Sequence, residues 1–128
     1  MTPNEAALVK CLVAVAWADG EVAEPEVGLI DGLLWAYDAT NEEETELREY
    51  AKTKRTLKQT PIPPDLDATE REVALANAAL LTHADGEQSA QEKKVLAEFA
   101  KLLGFAIEDA KPIIQSARQR AQALASKI

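Results

Sequence analysis

The sequence predicts an all-α fold, a single-domain helical bundle of about six to seven helices built from two repeated helix–acidic loop–helix units. Three observations lead there. Apolar residues make up 47% of the 128, but aromatics only 5%; Ala and Leu dominate the apolar set, and with Glu, Lys and Gln they are strong helix formers. No long run of β-branched residues alternates in polarity as a half-buried strand does. The string Ala18-Asp19-Gly20-Glu21 recurs 66 residues later as Ala84-Asp85-Gly86-Glu87, the mark of duplicated supersecondary units. A chain of this length can bury a real core as one domain, 1–128, without disulfides or a structural metal.

Each element has its own start and stop signals. Thr2-Pro3-Asn4-Glu5 offers an N-cap, a proline in the first turn and a capping-box partner. Leu8, Cys11, Leu12, Val15 and Ala16 follow at helical spacing, and the helix should stop near Asp19-Gly20. A second helix starts around Glu24-Pro25-Glu26 and is expected to bury Val27, Ile30, Leu33, Leu34 and Tyr37. Thr40 followed by Glu42, Glu43 and Glu44 opens a third, because acidic side chains favour the positive end of the helix dipole. Prolines 61, 63 and 64 make a stiff connector over about 58–67. Asp67 with Glu70 caps a fourth helix towards Ala84, and Ser89 with Glu92 caps a fifth that runs to Leu103, with Gly104 as terminator. A last helix is expected from about Asp109, with Pro112 in its first turn.

The repeat units span about 5–38 and 71–104. Val9 corresponds to Leu75, Val15 to Leu81, Ile30 to Leu96 and Leu33 to Phe99, and each Asp-Gly turn has a Glu seven residues after its Asp, Glu26 and Glu92. Two Ala-Asp-Gly-Glu turns so arranged resemble the TerB-like (tellurite resistance TerB) family, over nearly the whole chain. The resemblance implies a helical bundle whose acidic loops are proposed to bind divalent metal. It also implies a part in stress responses involving tellurite, phage and colicins, beside membrane-bound Ter-type proteins as partners. Carried over by position, the metal residues are Asp19, Glu26, Asp85 and Glu92, with Glu21 and Glu87 after each Gly.

The residues support that chemistry in part. Ca²⁺ and Mg²⁺ want several oxygen ligands held together, and a tight turn can bring an Asp and a Glu towards one point. The turns are shorter than an EF-hand loop and lack its Asp/Asn alternation. The competing reading is local. Asp-Gly is a common turn, and Glu at the third helical position is a common cap. Ser89 with Glu92 satisfies a capping box unaided, whereas Ala23 is a poor N-cap for its helix. The expected function is thus a non-enzymatic divalent-cation-binding module, the alternative being a cation-independent helical adaptor for a protein partner.

Charge and composition exclude other classes. The formal net charge is −8, from 22 acidic and 14 basic residues, which disfavours nucleic acid as a partner. Lys52, Lys54, Arg55 and Lys58 gather near an expected helix C-terminus, where cations complement the dipole. Cys11, the only cysteine, permits no intrachain disulfide and no Cys-based zinc site, and on an apolar stripe it should be buried and inert. His83 is expected to have no metal role, and Trp17 and Trp35 are expected to be packing residues. No phosphate-cradling Gly loop, nucleophile elbow or Cys–His pair is present. No signal peptide or span of about 18–20 apolar residues appears, so the expected compartment is the cytoplasm, without membrane insertion.

Overall fold

A computed structural model describes residues 1–20, 22–83 and 89–126 of the chain, the side chains of residues 19, 122 and 124–126 excepted. It holds six α-helices: α1 (Pro3–Ala16), α2 (Glu24–Ala36), α3 (Asn41–Ala51), α4 (Ala68–Thr82), α5 (Ala90–Leu102) and α6 (Ile107–Ser126). Short 3₁₀ turns lie at Trp17–Asp19 and Leu57–Gln59, and no strand occurs among the described residues.

The helix starts follow from local chemistry. A helix leaves its first amide groups without intrahelical partners, and a side-chain oxygen at the N-cap accepts from one of them. Thr2, Thr40, Asp67 and Ser89 do this for α1, α3, α4 and α5, accepting from Glu5, Glu43, Glu70 and Glu92. Each of those Glu side chains reaches back to its cap amide. Ala23, before α2, has no oxygen to offer, and only the return bond from its amide to Glu26 is made, at 2.9 Å.

Packing order follows burial. From Cys11 to Ala16 α1 is apolar on every side and wholly buried, as are Leu8 and Val9 before it, so this part must lie inside the bundle. It packs against α2, α3 and α4, while α4 carries α5 and α6. The centre is therefore the α1–α4 pair, lined by Val9, Val13, Leu75 and Ala79, and closed by Phe99 and Ala117 from the outer helices and by Leu103 at the C-cap of α5. After α3 the chain runs through the 3₁₀ turn into the proline segment, where Leu57 and Leu66 anchor it to the core.

Three sequence expectations change. Val27 is 40% exposed and Trp35 87% exposed; α2 sits at the edge of the bundle and only Ile30 and Leu34 on it turn inward as apolar core. α6 begins at Ile107, two residues before Asp109, so that Pro112 lies inside the helix and not in its first turn. Without an amide hydrogen, Pro112 cannot bond the carbonyl of Glu108. Finally, Lys52 is the C-cap of α3, but Lys54, Arg55 and Lys58 lie past the helix end.

Helices α2 and α5 begin and end 66 residues apart, and α3 and α6 begin 66 residues apart. The ends of α2 and α5 also close alike. Asp38 (φ 56°) and Gly104 (φ 90°) take the left-handed conformation, and Ala39 and Phe105 donate their amides to Leu34 and Ala100 at 3.0 Å. That bond pattern satisfies the last carbonyls of a helix. Glycine adopts the left-handed region without strain, and Asp is one of the few other residues that visits it.

Candidate functional site: the two acidic turns

The first turn is built by a tightening of the chain. After α1, the 3₁₀ turn Trp17–Asp19 leads into Gly20, whose φ of 87° reverses the direction and whose amide donates to the Trp17 carbonyl at 2.8 Å. A side chain at Gly20 would meet no neighbour, but its backbone conformation strains any L-residue. The indole of Trp17 donates Nε1–H to the Ala51 carbonyl at 3.0 Å, which ties this turn to the end of α3. The same 3₁₀ turn packs against α5, the helix that follows the second acidic turn. The two halves of the chain thus touch beside the first acidic turn.

Glu26 and Glu92 open the helices after the turns. Both are third residues of their helices and both cap, Glu92 accepting from Ser89 at 3.0 Å. Their burial sets them apart. Glu26 is 4% exposed and Glu92 2%, whereas the capping glutamates of α1, α3 and α4, Glu5, Glu43 and Glu70, stay half-buried at the surface. Capping does not require burial, since those three perform it in contact with water. Removing a carboxylate from water is costly unless charge or hydrogen bonds compensate it. The two buried glutamates are the two that stand seven residues past the aspartates of the acidic turns.

Of the six residues expected to ligate metal, Glu26 and Glu92 are thus placed, each at the start of a helix directly after its turn. Glu21, Asp85 and Glu87, and the side chain of Asp19, lie outside the described residues. Among the described residues no three His, Cys, Asp or Glu side chains group as a metal-holding set. His83 stands at the C-cap of α4 and is half-buried. Cys11 is fully buried, with its thiol 3.9 Å from the Thr60 carbonyl; burial pushes its pKa up to about 11, partly opposed by the Thr60 contact.

Beside the first turn, between α2 and α3, lies an apolar groove of about 550 Å³ lined by Trp17, Val27, Ile30, Leu34 and Leu47. Arg48 stands at its edge, bonded to Glu44 at 2.6 Å and to Asp31 at 3.2 Å. The exposed Val27 belongs to this groove, and helical periodicity alone could not reveal it. Among the described residues no helix is long and apolar enough to cross a membrane.

Residues 4–115 match the family described as Tellurite resistance protein TerB. That span takes in both acidic turns, α1 from its second residue and all of α2 to α5. No curated protein matches the chain, and no solved structure does.

Proposed function

The chain belongs to the TerB family, and from that premise we propose that it is a non-catalytic module that binds a divalent cation at its two acidic turns. The observation that carries the reading is the burial of Glu26 and Glu92, the only capping glutamates of the five described that are withdrawn from water. Carboxylates are the ligands that a hard cation such as Ca²⁺ or Mg²⁺ takes, and these two are held beside the turns by their cap bonds. Asp19, Glu21 and Glu26 would serve at the first turn, Asp85, Glu87 and Glu92 at the second. The cation would supply charge and a fixed point between two helix ends. The protein's part is to hold the glutamates in place through their cap bonds.

On this reading the two helix–turn–helix hairpins are duplicated units, a reading supported by the 66-residue spacing of α2 with α5 and by their matching ends. A bound cation would set how the hairpins present themselves to a protein partner, as Ca²⁺ sensors are read. A place in tellurite resistance, beside membrane-bound Ter-type proteins in the cytoplasm, is the physiological setting that the family suggests.

The test follows Trp17, which borders the first turn. Chelator-treated protein is titrated with Ca²⁺, Mg²⁺ and Mn²⁺ while Trp fluorescence and melting temperature are recorded. A ligand of the folded state adds roughly 2.7 kcal/mol of stability at a hundredfold excess over its dissociation constant. The expected result is a saturable rise for wild type and none for Asp19→Asn/Asp85→Asn. No response at millimolar cation, or equal responses in both proteins, makes the chain a cation-independent adaptor.

A further inference from the structure

The net charge of −8 conceals a local excess of the opposite sign. Between the segment that follows α3 and the N-terminal half of α5 lies a groove of about 390 Å³. Lys54, Arg55 and Lys58 line it from one side and Lys94 from the other, with a single carboxylate, Glu98, among its walls. Its apolar surface comes from Trp17, Leu57 and Val95.

These cations differ from the other basic groups near α3. Lys10, Arg48 and Lys52 are each paired with an acidic side chain. Among the described residues Lys54, Arg55, Lys58 and Lys94 have no carboxylate within ion-pair distance. Arg55 is nonetheless held: its Nε–H donates to the Tyr50 carbonyl at 3.0 Å, and its guanidinium lies 4.0 Å from the centre of the Tyr50 ring. A cation fixed in this way loses little freedom when an anion arrives.

We infer that this groove docks an acidic segment of a protein partner, with carboxylates on Lys54, Arg55, Lys58 and Lys94 and an apolar side chain against Trp17 and Val95. The charge of the groove is complementary to such a segment, and the apolar wall supplies a contact that free anions cannot use. The acidic remainder of the molecule selects for a short stretch. A long polyanion such as duplex DNA, or a flat anionic membrane, would extend past four cations onto a surface that repels it. The inference is independent of cation binding at the acidic turns.

The probe is a fluorescein-labelled peptide of repeating Asp-Glu-Leu triplets, its binding to the full chain followed by anisotropy at several salt concentrations. Binding that weakens with salt and is reduced about tenfold or more by Lys58→Glu/Lys94→Glu is expected, since opposite charges replace two of the contacts. The control Lys101→Glu/Lys111→Glu makes the same change of net charge at exposed positions outside the groove and should leave most of the affinity. Circular dichroism melts verify that both variants fold. Absence of peptide binding, equal losses in the two variants, or tighter binding of a DNA duplex or phosphatidylglycerol vesicles than of the peptide overturns the assignment.

Discussion

At Glu26 one carboxylate performs a local task and a proposed long-range one. Its Oε1 accepts from the Ala23 amide, and glutamine can do the same, because the capping box accepts either residue at the third position. Glu26→Gln/Glu92→Gln therefore separates cap from charge. The cation-free double variant is expected to melt within a few degrees of wild type, while the rise on adding cation disappears. Calorimetric melts with and without chelator check it. Cys11 gives a second prediction. Burial holds its folded pKa at about 11, above the ordinary thiol value of 9.0, so the folded chain keeps a proton that the unfolded chain releases. The contribution of Cys11 is then nil below about pH 9 and lowers stability between about pH 9 and 11, by roughly 1.4 kcal/mol per unit at most, beside the same-signed contributions of Tyr37 and Tyr50, whose pKa burial also raises. Cys11→Ala should make that slope shallower, and a thiol reagent at pH 8 should label Cys11 only after unfolding.

At the scale of elements, α5 ends on a clip. Arg71 of α4 donates Nη1–H to the Leu103 carbonyl at 2.6 Å and Nε–H to the Leu66 carbonyl at 3.0 Å, joining the end of α5 to the proline connector. Charged hydrogen bonds of this kind contribute about 1.5–3 kcal/mol when buried; for a half-buried side chain, Arg71→Ala should cost about 1–2 kcal/mol in urea unfolding. On α2, by contrast, Trp35→Ser should change stability by about 0.5 kcal/mol or less, because the indole is 87% exposed. These two elements also show what was legible. Thr2, Thr40, Asp67 and Ser89 could be read as caps because capping depends on neighbours within three residues. Gly104 was readable as a terminator for the same reason. Asp38, the matching left-handed residue, was not, since Asp has several local uses. The exposure of Val27 and Trp35 could not be read at all: periodicity identifies a helix but not its distance from the bundle centre. Pro112 suggested a helix start, and α6 instead accommodates it one turn in.

At the scale of the molecule, α1 and α4 form the centre, each carrying outer helices, and the acidic turns follow the ends of these two central helices. The doubled motif could be read from the sequence because identical strings survive in both halves. The burial of Glu26 and Glu92 could not, since the same capping position is filled by half-buried glutamates in α1, α3 and α4. The basic groove was hidden for a related reason. Lys54, Arg55 and Lys58 suggested only a helix end until tertiary packing brought Lys94 of α5 opposite them.

Isothermal titration calorimetry of chelator-treated protein with Ca²⁺, Mg²⁺ and Mn²⁺, run beside Glu26→Gln/Glu92→Gln, addresses the proposed site without relying on a conformational signal. Saturable binding of at least one of these ions to the wild-type chain, and its loss in the variant, are expected. Flat isotherms for all three ions with the wild-type protein, or unchanged binding in the variant, would contradict the proposed site.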